Sequence, residues 1–167
     1  MTSILKVDTI QTAAGGTPTA ADLGLNVSGT MLDHYYHKYG VQTGIASTSG
    51  LVDSGLTLTV TPKSATSKFI ITYNMFFYFP NMGATWAAGY ARIMRDTTAI
   101  RTDEYTLSRG GDYNTPGNMQ NSSDTFVDQP NTTSAITYKV QAAAYTGTIY
   151  VHQGNQEGFL SITEIAG

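Results

Sequence analysis

Two histidines, His34 and His37, have the spacing H-x-x-H, which on a helix could place both rings on one metal ion. The residues around them, from Met31 to Ser47, are rich in aromatic side chains and typical of a strand. On a strand, side chains three positions apart point to opposite faces of the sheet. We therefore expect no shared metal, and predict that Tyr35, His37 and Tyr39 form one wall of packed rings.

The third histidine, His152, follows Tyr150 and Val151 in another strand-like stretch. We expect a sheet histidine whose ring nitrogens are hydrogen-bonded; in a trimer it could instead approach the threefold axis and bind an ion. The chain contains no cysteine, which excludes thiolate zinc sites, thiol catalysis and a disulfide framework. We predict neither a metal site nor a cofactor.

The carboxylates show no catalytic arrangement. Asp103 and Glu104 are adjacent, so on a strand they face opposite ways. A glycosidase needs two carboxylates held about 5 to 9 Å apart across a cleft, which the sequence neither shows nor excludes. It contains no Gly-rich phosphate loop and no nucleophile elbow. We therefore predict that the protein is not an enzyme.

The basic residues are few and scattered. Arg92 and Arg95 lie in a stretch predicted as a strand, with Asp96 beside them, and salt bridges at the rim of a subunit are their expected role. The formal net charge is -3, and no cluster of Lys and Arg occurs. This balance argues against a nucleic-acid-binding surface.

Aromatic side chains could stack on sugar rings at an exposed surface. Inside strand patterns, as for Phe79 and Tyr90, we expect them to pack in the core instead. Beside Gly- and Asn-rich turns the two roles are open, which makes Trp86, Tyr113 and the neighbouring Asn114 the candidate ligand contacts. The longest stretch without a strand pattern, Gly110 to Asn121, is predicted to be an exposed loop.

The element that must position these residues is the run from Ser67 to Phe79, which ends at Pro80. Its odd positions form an unbroken apolar row with the period of a strand, and its even positions add Ile70, Phe76 and Tyr78. Burying one row only offsets the entropy lost on ordering the backbone. We expect the second face to be covered too, by the rest of a sandwich or by another subunit.

Further strands are predicted from short β-branched and aromatic runs bounded by Gly, Pro, Asn or Asp. They are Leu56 to Val60, Trp86 to Asp96, Ala99 to Ser108, Thr125 to Asp128, Ala135 to Tyr145, Gly147 to His152 and Phe159 to Ile165. No convincing amphipathic helix interrupts them. The fold is therefore predicted to be all-β, a sandwich or jelly roll.

The composition points to an assembly. Charged residues make up 13% of the chain, about half the usual share of roughly 25%. With so little mutual repulsion, such a protein remains soluble by hiding surface in a stable oligomer. Lys6 and Asp8 interrupt the apolar pattern of the amino terminus, so we expect no signal peptide, no membrane insertion and synthesis in a cytoplasm.

The first 29 residues are predicted to be a separate arm. Residues 3–11 alternate like a strand with no sequence neighbour to pair with, and the Gly-rich, Pro-interrupted stretch after them is typical of a linker. The arm could dock on another protein, or its strand could add an edge to its own domain. We assign residues 1–29 to the arm and 30–167 to a head domain.

Several segments resemble structural proteins of tailed bacteriophages, particularly marine ones. The resemblance rests on SILKVDTIQ and GGTPTAADLGLNVSGT in the arm, and on SGLTLTVTPKSATSKFIIT, ARIMRDTTAI, FVDQPNTTSAITYKVQAA and FLSITEIAG in the body. It implies a jelly-roll β-sandwich that forms a homotrimer, similar to complement globular-head and tumour-necrosis-factor domains. Asp33 to Tyr39, Phe76 to Phe79 and Gly110 to Asn121 depart from it, so individual specificity would reside there.

Three functions are compatible with this resemblance. The first is a virion fibre or tail-associated protein that docks on another virion protein through residues 1–29 and presents its head to a host surface polysaccharide. The second is a capsid decoration or head-fibre protein without a host ligand. The third is a virion-bound polysaccharide hydrolase. In each of them the protein is located in the virion after assembly in the bacterial cytoplasm.

Overall fold

The computed structural model describes Gln11 and residues 15–17, 28–80, 88–102 and 117–167. Within these ranges the chain consists of antiparallel β-strands and one short 3-10 turn, Gln153–Asn155. The strands are β1 (Met31–Tyr39), β2 (Thr43–Ala46), β3 (Val52–Val60), β4 (Lys68–Phe79), β5 (Ala88–Arg95), β6 (Thr98–Thr102), β7 (Asn118–Asp128), β8 (Ile136–Thr146), β9 (Thr148–Val151) and β10 (Gly158–Ile165). No helix in these ranges is long and apolar enough to cross a membrane.

The strands form two sheets. The large sheet has the order β1-β10-β4-β9-β2, with β7 on the other edge of β4, and the small sheet has the order β3-β8-β5-β6. If β2 and β9 are set aside, the remaining strands pair outermost to innermost along the chain: β1 with β10, β3 with β8, β4 with β7, and β5 with β6. A long hairpin wound into two sheets in this way is a jelly roll. The predicted all-β sandwich is confirmed.

Strand β4 is central, as predicted. It pairs with β7 along one edge and with β10 and then β9 along the other. Its odd positions are buried between the sheets and contribute Phe69, Ile71, Tyr73, Met75, Phe77 and Phe79 to the core. Its even positions are only half-buried, so the second apolar face that the sequence shows is not closed by this chain's own sandwich.

Strand β7 is longer than the sequence indicates. The predicted loop Gly110 to Asn121 is wrong at its end, because β7 begins at Asn118; residues 110–116 lie outside the described ranges. The run Asn118 to Ser123 is polar and carries no strand pattern, but it pairs with β4 from Phe79 downward. Inside the sandwich, Ser122 is buried and shares a hydrogen bond of 3.0 Å with the Tyr73 hydroxyl. Tertiary pairing therefore decides the conformation here.

The stretch from Met31 to Ser47 contains two strands rather than one. β1 ends at Tyr39, and β2 pairs with β9 instead. The ring of Tyr39 lies over Gly55 in β3, where φ is +91° and the pairing with β8 shifts register. A Cβ atom at Gly55 would lie 2.2 Å from Tyr39 Cε1, so only glycine allows this approach.

Ion pairs join the two sheets within one chain. Nη1 of Arg95 in β5 lies 2.9 Å from Asp128 in β7, and Nε of Arg101 in β6 lies 2.8 Å from Asp124 in β7. Arg92 instead donates to the side chain of Gln141. The expected salt bridges at a subunit rim are thus contacts inside the domain, because the sandwich brings the edge strands β6 and β7 together.

Candidate functional site

The surface that stands out is the outer face of the large sheet, the side turned away from the small sheet. Directly paired residues of an antiparallel sheet lie on the same face. The register therefore aligns Tyr36 with Ser161, Thr72 and Thr125 across β1, β10, β4 and β7. Other large apolar members of this outer face are Met31, Ile165, Ile70, Val127, Phe159, Phe76, Tyr78, Tyr150 and Met119.

Several of these side chains are open to solvent. Tyr36 is 51% exposed, Val127 60% and Met119 40%. The rings of Tyr36 and Phe159 stack with their centroids 5.7 Å apart, and those of Tyr78 and Tyr150 lie 6.2 Å apart at the other end of the face. Exposed aromatic and aliphatic side chains therefore flank a row of uncharged polar residues, and a face of this composition on a small domain is a candidate interaction site.

The middle of the outer face is uncharged. Thr72 and Thr125 share a hydrogen bond of 3.0 Å there. Among the strand positions that the register places on this face, the charged side chains are Lys38 and Lys68, both on its border. Lys38 is already bound to Glu157, at 2.6 Å. A neutral centre with aromatic rings is the composition found in the cores of protein interfaces.

The outer face of the small sheet is different in character. Lys139 Nζ lies 3.0 Å from Asp53 Oδ2, and Gln141 donates to Oδ1 of the same carboxylate at 2.6 Å. Gln141 in turn accepts a hydrogen bond of 2.8 Å from Arg92. This face also carries Tyr90 and Tyr145, the latter 56% exposed, so it differs from the outer face of the large sheet by its paired charges and not by a lack of aromatic side chains.

The H-x-x-H pair behaves as predicted. His34 is exposed on the outer face, with Nδ1 3.0 Å from the Thr163 hydroxyl. His37 points into the sandwich, where Nδ1 accepts the Thr57 backbone N–H at 3.4 Å and the ring lies 6.4 Å from that of Tyr39. The described residues contain no group of metal-ligating side chains that could hold an ion.

His152 is not the fully paired sheet histidine that we expected. It follows β9 directly and is completely buried. Nδ1 lies 3.2 Å from the carbonyl oxygen of Gln156, whereas Nε2 has no hydrogen-bond partner among the described residues. Burial lowers the pKa of His152, and this outweighs the opposite influence of the backbone groups of Gln156 and Ser54 that face the ring. A ring enclosed by its own chain does not offer a nitrogen to an ion on a trimer axis.

A polar cluster that extends from the surface to the buried Glu164 lies at the opposite end of the sandwich. The Asp33 carboxylate accepts hydrogen bonds from the Tyr35 hydroxyl at 3.1 Å and from the backbone of His34, and it pairs with Lys63. Burial and the neighbouring Asp33 raise the pKa of Tyr35 to about 12. Glu164 is fully buried and accepts the Lys63 backbone N–H at 2.6 Å.

The sequence contained a signal for the burial of Glu164. Strand alternation in FLSITEIAG puts it in the same row as Leu160 and Ile162, which both lie in the core. Its only described hydrogen-bonding contact is to the backbone of the turn before β4, which favours a structural role over a chemical one.

The candidate ligand contacts Trp86, Tyr113 and Asn114 lie outside the described residues, as do Asp103 and Glu104. Phe79, expected in the core, is buried there. Tyr90, also expected in the core, is only half-buried and lies on the outer side of the small sheet. The sequence thus predicted that apolar side chains fill the interior, but it did not show which residues share the outer face of the large sheet.

Comparison with known proteins gives a faint likeness of fold. No protein-family model matches the chain, and no curated protein shows significant similarity to it. A structure of the T13 particle of infectious bursal disease virus is similar, with a TM-score of 0.43, 11% identity, and coverage of 83% of this chain and 37% of the viral chain. A structure of the Gx strain of that virus gives a TM-score of 0.37 and 15% identity, over 83% of this chain and 39% of the other.

The chain therefore spans less than two fifths of the length of these viral chains. Identities and TM-scores this low do not assign the chain to a family, and no function can be transferred from the viral chains. The case for function rests on the surface described above, which offers a flat, aromatic, uncharged area but no arrangement of nucleophile, base and oxyanion donors among the described residues.

Proposed function

We propose that the chain is a structural protein of a virion and that it assembles as a homotrimer through the outer face of its large sheet. The observation that carries this proposal is the set of half-buried and exposed apolar side chains on β4 and its neighbours, which the described part of the chain leaves uncovered. In this assembly the face binds another copy of the same chain.

Charge favours self-association over contact with a charged partner. With a formal net charge of -3, identical copies repel one another weakly. The centre of the face, around Thr72 and Thr125, presents no charge that a second copy would have to desolvate. In a closed threefold ring, one part of this face on each copy meets a different part of the face on the next copy.

The role in a virion is supported by the sequence segments that resemble phage structural proteins and by the jelly-roll arrangement of the strands. It also agrees with the lack of catalytic geometry in the described residues. We propose that the protein is not an enzyme, binds no cofactor, and takes its place in the particle through contacts with itself and with another virion protein.

The boundary that we propose between arm and head lies at a pair of backbone hydrogen bonds. The Gly29 N–H donates to the Ala166 carbonyl at 2.7 Å, and the Ala166 N–H donates to the Thr30 carbonyl at 2.8 Å. These bonds tie the start of the head, residues 30–167, to the end of β10. Residues 1–29 then form the arm that docks on another virion protein.

The head is proposed to face outward as part of a tail fibre or tail-associated protein, with host surface polysaccharide as its ligand and Trp86, Tyr113 and Asn114 as contacts. Replacing Trp86 or Tyr113 by Ala would remove a stacking surface and weaken host adsorption while the trimer persists. If the variant with both substitutions adsorbs normally, host polysaccharide is not the ligand, and the result favours a capsid decoration protein.

The location is tested by electron microscopy of purified particles labelled with an antibody against the chain. Label at the tail supports the fibre assignment, whereas label on the capsid supports decoration. Absence of the chain from washed particles that contain all other structural proteins would overturn the virion role itself.

A further inference from the structure

The ring of His152 occupies a closed space between the two sheets. Its edge meets the Tyr39 ring, with centroids 5.7 Å apart and an interplanar angle of 74°. Gly158 leaves room on another side, because a Cβ atom there would lie 2.8 Å from His152 Cε1. The space therefore fits a neutral imidazole closely and leaves its Nε2 without a partner among the described residues.

The backbone that holds this ring is unusual. His152 has φ 56°, the left-handed conformation that residues other than glycine rarely adopt, and Gly154 and Asn155 in the following turn are left-handed as well. Hydrogen bonds fix the start of the turn: the His152 N–H donates to Phe76 O at 3.0 Å, and the Asn155 N–H donates to His152 O at 3.1 Å. The rest of the connection makes surface contacts, from the Gly154 N–H to Gln42 Oε1 at 3.2 Å and from Glu157 to Lys38 at 2.6 Å, and residues 154–157 are exposed.

Among the described residues, backbone groups but no carboxylate meet this ring. The titratable groups facing it from β1 are Tyr39 and, behind it, His37; β3 and β4 contribute backbone groups of Ser54 and Phe76. In the turn, the Glu157 carboxylate is 58% exposed and is already held by Lys38. A cation on His152 would thus be buried with no carboxylate in contact.

We propose that His152 is an acid-sensitive latch: uptake of a proton by its buried ring opens the connection from His152 to Glu157 while the two sheets stay paired. The strands on both sides, β9 and β10, are anchored by core residues, whereas residues 154–157 of the connection are exposed, so this segment opens more readily than the strands. The inference goes beyond the proposed role in a virion and does not depend on it.

The test combines two measurements on the wild-type protein between pH 8 and pH 5. NMR follows the ring signals of the three histidines, and hydrogen exchange follows the amides of residues 152–157. We expect His152 to take up its proton in the same pH range in which the connection opens. Below about pH 6.5, the opening constant, corrected for the intrinsic exchange rate, should rise by up to about tenfold per pH unit. The amides of β8 should show no such rise.

A variant links the opening to this one ring. His152→Asn removes the titrating group but keeps a residue that tolerates the left-handed conformation, so the acid-dependent rise should disappear. The matched control His34→Asn removes an exposed histidine and should retain the rise. Two results would overturn the proposal. The first, which needs no variant, is titration of His152 in the wild type without faster exchange in residues 152–157. The second is a His152→Asn variant in which the connection still opens in acid as it does in the wild type.

Discussion

Nη1 of Arg95 in the small sheet lies 2.9 Å from both carboxylate oxygens of Asp128 in the large sheet. The Tyr138 hydroxyl donates to Oδ2 of the same carboxylate at 2.7 Å, and the pKa of Tyr138 is raised by burial and by Asp128. Since the Asp128 side chain is 13% exposed, this is a partly buried network that joins the sheets near the start of β4.

We expect Asp128→Ala to destabilise the protein by about 2 to 4 kcal/mol, because it leaves the Arg95 guanidinium and the Tyr138 hydroxyl without their acceptor. Urea or thermal unfolding measures the change. The control is Lys38→Ala, which breaks a shorter but exposed ion pair with Glu157 and should leave the midpoint nearly unchanged. Equal effects from the two variants would show that the inter-sheet network does not hold the sandwich together.

The contact between Tyr39 and Gly55 predicts a difference between two glycine substitutions. Gly55→Ala should cost at least about 2 kcal/mol, because the left-handed backbone disfavours Ala and the new methyl group meets the Tyr39 ring. Gly50→Ala has the same backbone problem, with φ +67°, but nothing within 4 Å, so it should cost only about 1 kcal/mol. If chemical denaturation shows that the two variants lose the same free energy of unfolding, the Tyr39 ring does not pack against Gly55 in solution.

Deletion of residues 1–28 tests the division into arm and head. We expect the thermal midpoint to stay nearly unchanged, because Gly29 and Thr30, which bond to Ala166, remain. Incorporation into particles should be lost, since the docking arm is gone. A truncated chain that no longer folds would instead assign the strand of residues 3–11 to the sheet of its own domain.

Where a strand buries an uninterrupted row of alternate apolar side chains, this alternation and the Gly, Pro, Asn or Asp residues at its ends were enough to predict it. The odd row of β4 and the opposite orientations of His34 and His37 follow from the period of two alone. β7 was missed over Asn118 to Ser123 because its polar side chains carry no pattern, and its conformation comes from pairing with β4.

Partners across the sandwich could not be predicted in the same way. Nothing local identifies Asp128 as the partner of Arg95, 33 positions away in the chain, or Tyr39 as the ring that needs Gly55. The unpaired nitrogen of His152 likewise results from the left-handed turn that follows β9. Such relationships appear only when the winding of the jelly roll is known.

The homotrimer formed through the outer face of the large sheet is tested most directly by sedimentation equilibrium of the wild type and two matched variants. Thr125→Arg puts a charge on this face beside Thr72 of the central strand β4, and Thr59→Arg puts one at the matching edge-strand position of the small sheet. Both residues are exposed, and each shares a hydrogen bond with a threonine on the neighbouring strand. We predict about three times the chain mass of 17.9 kDa for the wild type and for Thr59→Arg, and a single chain mass for Thr125→Arg. A monomeric wild type, or a Thr125→Arg variant that remains trimeric, would contradict the proposed interface.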